Sequence, residues 1–367
     1  MATPADQGDF PFLADTEATT VNCDRLITMS LISDLLAGPR GRDFLMEVAL
    51  ASEGLDGPLF QATWRLSSYM WRNADKIGIS RKQSAEALSR KVAPLLEQVP
   101  LVEITPTLLY DALESPVFRA TYWVAPSDEN VFLRSKPLKT GLRRIARHIA
   151  SSDVVSDWSD SFQMDRAQAS VSWIAPGKEK PSPPIGEALE KWREEARTDK
   201  LWWSMPPWPL VATSGKLKDG TPGALRFIED GFGWTTGWVR EATVSADAKV
   251  FTIHGPGDWA ELCRRFPLNV TTSKGVDWHD VTGYPHRWVM PDYVEVAQHY
   301  DAVHLSMAGY FATVERVIPV DDKQASMLAR WNPGQTFWFT ESVTLDETPV
   351  QWRDRGDQDW WPHVDKL

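Results

Sequence analysis

PGKEKPSPP, residues 176–184, is the stretch on which the reading of this chain turns. Prolines at 176, 181, 183 and 184 remove backbone donors and fix φ, so neither a helix nor a central strand runs through it. Upstream, apolar residues recur every three or four positions. Downstream, short β-branched and aromatic runs end at Gly, Pro or Asp. The sequence therefore predicts an α+β protein: a helical N-terminal half, then a mixed, mainly antiparallel, β-rich half with interspersed helices. Its segments are a flexible tail over 1–20, a helical domain over 21–115, a mixed α/β segment over 116–176, the Pro-rich linker over 177–184 and a Trp-rich α+β domain over 185–367.

In the helical half, Ile27, Leu31 and Leu35 set one stripe ending at Gly38-Pro39, and a second helix over about 42–53 stops at Gly54. Gly57-Pro58 opens a third. Ser80 with Gln83 forms a capping box for a fourth, which Pro94 is expected to kink. Thr105-Pro106 opens a fifth, expected to close before Pro116. Two of these helices, joined through Gly78 with Arg81, Lys82, Arg90 and Lys91 nearby, have the outline of a helix-turn-helix. Over 136–150, Leu142, Ile145 and Ile149 form an inner face and the arginines an outer one, read as a solvated helix face or an anion- or partner-binding patch. Strands are expected at FRATYWVA, VFLR, ASVSWIA, LWWSMP, PLVATS, GALRFIE, KVFTIH, DAVHLSM, RVIPV and QTFWFT, and helices after 184, at Asp258, at Pro291 and after Asp321-Asp322. The acidic end, 341–367, reads as a strapped-down tail because an exposed Trp360-Trp361 pair is costly in water.

Composition narrows the function. With 43% hydrophobic and 24% charged residues the chain is of ordinary globular make-up. No apolar run approaches the ~20 residues that span a bilayer, and the N-terminus lacks a signal-peptide pattern, so a cytoplasmic protein without membrane attachment is expected. The net charge of −11 argues against a nucleic-acid partner. Cys23 and Cys263 lie far apart and form neither a disulfide framework nor a metal cluster, although Arg264 and Arg265 would activate an exposed Cys263 thiol. His279, His286, His299, Asp301 and His304 are the nearest approach to a ligand set, but their directions differ, and no metal is expected. A dinucleotide fingerprint, a P-loop, a His-Glu-x-x-His and a Gly-x-Ser-x-Gly elbow are all missing.

What remains is a tryptophan-rich second half; the chain has 19 tryptophans, crowded between Trp202 and Trp338. A flat-ligand pocket or an aromatic core both account for them. Glu229 and Asp230 precede a Gly231-Phe232-Gly233 turn, where carboxylates are commonly exposed, and are candidate catalytic groups. His304 and Ser306 alternate along one strand face and are further catalytic candidates. Trp203, Ser204, Thr213 and Ser214 are candidate ligand contacts, and Trp234 and Trp238, four apart, a candidate aromatic wall. A solvated turn and a satisfied polar pair are the plainer alternatives.

The stretch from LWWSMP through KVFTIHGPGDWAEL to PDYVEVAQHYDAVHLSMAGY resembles an uncharacterised actinobacterial Trp-rich protein family. Over 199–340 its short strands and Trp-rich turns are similar to the ADP-ribosyltransferase-like fold. That resemblance implies a bacterial transferase with NAD as substrate, a carboxylate stabilising the oxocarbenium ion and an aromatic residue on the nicotinamide. Neither the Arg-Ser-Glu nor the His-Tyr-Glu triad occurs in order, so no catalytic residue carries over; the residues themselves nominate Glu229 and Trp234 or Trp238. The expectation is thus an enzyme with an aromatic-lined pocket acting on NAD or a nucleotide-like ligand. The alternatives are a specialised-metabolism enzyme for a small aromatic or amino-acid-like substrate, and a non-catalytic binding or scaffold protein.

Overall fold

Helices come first because the N-terminal apolar spacing has nowhere else to bury itself. The computed structural model describes residues 28–54, 56–64, 81–285, 287–356 and 359–362. In it the chain is α+β, with 43% helix and 19% strand. The expected 1–20 tail, Cys23, the Ser80 cap, the Gly78 junction and His286 lie outside the described residues. Helices α1 (28–37), α2 (Pro39–Glu53), α3 (58–64), α4 (Arg81–Gln98), α5 (Pro106–Phe118), α6 (Asp128–Leu133) and α7 (Lys139–Ala150) precede strand β1 (Gln168–Ser172) and helix α8 (Ile185–Thr198). Then follow β2 (Ala212–Gly215), α9 (Gly223–Arg226), β3 (Thr236–Val244), β4 (Val250–Ile253), α10 (Pro256–Arg265), β5 (Pro267–Asn269), α11 (Thr271–Thr282), β6 (Arg287–Pro291) and α12 (Tyr293–Val296). The chain finishes with β7 (Ala302–Leu305), α13 (Met307–Thr313), β8 (Ile318–Pro319), β9 (Gln324–Ser326), β10 (Gln335–Trp338), β11 (Val343–Leu345), β12 (Val350–Asp354) and β13 (Trp360–Pro362). None of the described helices is long and apolar enough to cross a membrane.

The larger sheet runs β13-β12-β3-β1-β2-β10-β7-β4, with β11 also on β3. It is antiparallel except at its β7 edge, where β4 pairs in parallel, Ile253 opposite Leu305. The smaller sheet runs β5-β6-β9-β8, with β6 and β9 parallel. One apolar core runs from Leu31 and Phe44 in the first helices, through Trp158 and Trp259, to Trp331 and Phe339. Of the fully buried large side chains, Trp259, Trp278, Trp288, Trp331 and Trp338 are core, each indole being mostly removed from water.

Several local readings are corrected. FRATYWVA is not a strand: α5 continues past Pro116 to Phe118, and the following residues are irregular, with Tyr122 bonded to a distant carboxylate. VFLR is the end of α6, because Ser127 accepts from Asn130 N and starts a helix there. GALRFIE begins as α9, where Ser214 Oγ accepts from Ala224 N. LWWSMP forms no ladder, since Ser204 spends its backbone N–H on Ala329 O. No helix follows Asp321-Asp322; Asp321 Oδ1 accepts from Lys323 N and Gln324 N, closing a turn that feeds β9. Helix α10 starts at Pro256 behind Gly255, before Asp258, and Pro291 belongs to β6, so α12 is only four residues long. Pro94 lies inside α4, which is a single helix from Arg81 to Gln98.

Candidate functional site

Parallel strands β4 and β7 both point their carboxyl ends at the same place. The chain leaves them toward α10 and α13, and the residues between turn outward. Beside the end of β7, the loop before β1 and the end of β2 close a cleft of ≈ 70 Å³ whose lining includes Asp160, Phe162, Arg166, Ser214, Lys216, His304 and Ser306 and no residue of β4. Three residues expected from the sequence thus meet, Ser214 from β2 with His304 and Ser306 from the end of β7.

Their hydroxyls are already in use. Ser306 Oγ caps α13 by accepting from Gly309 N at 3.0 Å and also reaches Ile253 O at 3.3 Å. Ser214 Oγ accepts from Ala224 N at 2.9 Å. Both serines are buried and hold the backbone of the cleft wall. His304 is different. Its Nδ1 shares a hydrogen bond of 2.8 Å with Thr336 Oγ1, and Phe162 stands edge-on to its ring. Burial first, then the charges of His254 and Arg166, push its pKa down to about 3, so the imidazole is neutral at physiological pH. Asp160 is raised from the usual carboxylate range by burial and by Asp157. Arg166 pairs with Asp157 across the loop that crosses the cleft, lying against Gly215, where no side chain intervenes.

Glu229 is not at an exposed turn. It is 2% exposed, and its Oε1 accepts from Tyr122 Oη at 2.6 Å and Tyr310 Oη at 2.8 Å. Its Oε2 is buried without a hydrogen-bond partner. Burial raises its pKa to about 7 against the pull of the two tyrosines and Arg40. Asp230 pairs with Arg330 at 3.0 Å. Trp203 lies beside that arginine, and Ser204 Oγ accepts from Ala329 N at 2.9 Å.

Trp234 and Trp238 do not form one wall. Trp234 stacks on Trp173 at 4.9 Å, while in β3 the residues opposite β1 alternate, placing Trp238 on the face away from Val239 and Gly237, where Trp173 packs. Thr213 is spent on Trp338 Nε1 at 3.0 Å. Cys263 is wholly buried, its thiol pushed up to about 12 by burial, so its arginine neighbours do not activate it. Among the described residues no three metal-ligating side chains converge.

Sequence reading missed Arg166 and Asp160, because MDRAQ and SDSF carry no pattern, and Tyr122 and Tyr310, whose partner lies 107 and 81 residues away. It also missed Arg330, which sits in a loop with nothing periodic around it. No family model matches the chain, and neither does any curated protein or solved structure.

Proposed function

We propose that the chain is an enzyme acting on a small amino-acid-like molecule held in the cleft between the ends of β2 and β7 and the loop before β1. The observation that carries this is the gathering of charges of both signs and a neutral imidazole in one confined space. Asp160 would take an ammonium group and Arg166, anchored on Asp157, a carboxylate, with His304 as an uncharged hydrogen-bonding group. Lys216 is held by Glu241 at 2.8 Å. A volume of ≈ 70 Å³ holds on the order of five water molecules, which suits a small zwitterion better than a dinucleotide.

An NAD-splitting transferase draws less support. It needs a carboxylate and an aromatic wall turned toward one ligand, whereas Glu229 is enclosed by tyrosines and the two expected tryptophans lie on opposite sheet faces.

Thermal unfolding with single amino-acid-like compounds, and with NAD, tests the proposal. A zwitterion at about a hundred times its Kd is expected to add ~2.7 kcal/mol, and Arg166→Gln to abolish that gain. Stabilisation by NAD alone, or a zwitterion effect that survives Arg166→Gln, overturns it.

A further inference from the structure

A second cluster lies away from the cleft. Among the described residues, the non-glycine residues with left-handed backbone are Asp230 (φ 52), Glu315 (φ 55) and Arg330 (φ 62). Two of the three are partners in one ion pair, Arg330 Nη1 to Asp230 Oδ2 at 3.0 Å. Both are held in place from outside. Ser204 clamps Ala329 through its backbone N–H, at 3.1 Å, and its hydroxyl, at 2.9 Å. Glu229 N donates to Asn332 Oδ1 at 2.9 Å, tying the residue before Asp230 to the loop of Arg330. Strain that the surroundings enforce at a partly exposed ion pair is a mark of a site built for something other than stability.

The enforced geometry delivers the guanidinium to three indoles. Its carbon lies 5.7, 5.2 and 5.4 Å from the ring centroids of Trp202, Trp203 and Trp208. Trp208 is 63% exposed, in a PPWP segment whose prolines stiffen the chain on both sides. One indole face is against Arg330 and most of the side chain is open to solvent. Of five guanidinium N–H donors, Asp230 takes one; among the described residues Arg330 has no other hydrogen-bond acceptor.

We infer that this cluster is a second binding site, for a planar ring carrying an anionic group. The ring packs against the exposed edge of Trp208 beside the guanidinium, and the anion takes the Arg330 donors that Asp230 leaves free. A cationic ligand is disfavoured, since the three indoles already hold a cation. Nucleotides and aromatic carboxylates share the required chemistry.

Calorimetric titration of the full chain with AMP, adenosine and an aromatic carboxylate, indole-3-carboxylate, tests this. AMP or the carboxylate is expected to bind at least about tenfold more tightly than adenosine, and the probe that binds identifies the source. Trp208→Ala, at an exposed position, is expected to weaken binding about tenfold, the scale of one lost stacking contact. Arg330→Gln should bring AMP and adenosine to equal affinity, and Arg330→Lys should recover only part of the preference because it lacks the planar donor fork. Failure of both anionic probes to bind, equal affinity for adenosine, or full binding in Trp208→Ala overturns the inference. So does loss of binding in Arg166→Gln, which would place the ligand in the β2–β7 cleft; undiminished binding there separates this site from the cleft.

Discussion

Glu229 shows what burial does to a single carboxyl. Burial disfavours the anion, whose Oε2 has no donor. The two tyrosine hydroxyls that donate to Oε1 and the charge of Arg40 pull the other way, and Glu315 reinforces burial, leaving the pKa at about 7 against an ordinary 4.5. A group whose pKa rises on folding contributes stability that is complete below pH 4.5 and is lost as the pH rises through 7. The shift corresponds to about 3 kcal/mol. Glu114, raised to about 8 by burial, slopes the same way, while His304, lowered to about 3, contributes stability above pH 6.5 that is lost on acidification. The informative quantity is therefore the difference from Glu229→Gln, which is neutral at every pH. Urea unfolding is expected to show wild type losing about 3 kcal/mol relative to that variant between pH 4.5 and pH 8, and a pH-independent difference would contradict it. The sequence identified this carboxylate yet placed it in solvent, because the following Gly231-Phe232-Gly233 reads as a surface turn. Only the folded chain brings Tyr122 and Tyr310 to it.

Elements with a strong period or a distinct cap were legible: α2, α5 with its Thr105 cap, α7 with Leu142, Ile145 and Ile149 inside, and the β-branched cores of β4 and β7. Those whose buried face is polar were not. Helix α11 buries Ser273 and Lys274 beside Trp278, which blunts its apolar stripe, and β3 carries Gly237 and an Arg240-Glu241 pair in a central strand. Three short strands at the C-terminus, β11 to β13, pair on or beyond β3 and turn the acidic end into sheet, burying Trp360 but leaving Trp361 exposed. The cleft also depends on α13, whose cap Ser306 is part of its lining. Helix α13 lies so close to β4 that a Cβ on Gly309 would fall inside contact distance of the Ile253 carbonyl and within 2.9 Å of Ser306 Oγ. Neither can retreat, since Ile253 is laddered to Leu305 and Ser306 caps the helix. Gly309→Ala is expected to cost about 1–3 kcal/mol and to loosen the floor of the cleft. Gly257→Ala in α10, with open space around its Cβ, should be neutral or stabilise by up to about 1 kcal/mol. Equal melting midpoints for the two variants would refute this packing account.

At the scale of the whole molecule, the linker that divides the sequence does not divide the core. Residues 176–184 have no regular structure and are mostly exposed, yet the apolar cluster continues from the N-terminal helices into the β-rich half. A buried polar seam adds to it. Arg40 of α2, 2% exposed, pairs through Nε with Glu315 at 2.8 Å, through Nη2 with Asn130 Oδ1 at 3.0 Å and through Nη1 with the Pro116 carbonyl at 3.0 Å. Asn130 Nδ2 in turn donates to Glu315 Oε1 at 3.1 Å, so α2, α6 and the residues after α13 share one network. Cutting the chain at Lys178 should therefore leave two fragments that co-elute under native conditions and part only in denaturant. Arg40→Ala removes the cation and strands Glu315 in the interior, a change expected to cost 3–5 kcal/mol. The same cut made in that variant should release separate fragments. Arg40→Met, which keeps most of the side-chain volume without the charge, should behave the same way, because the unpaired carboxylate, and not a cavity, is the source of the cost. Combining it with Glu315→Gln should then restore much of the association, since the stranded group no longer bears a charge. Fragments that separate in wild type as readily as in Arg40→Ala would show that the seam does not hold the halves together.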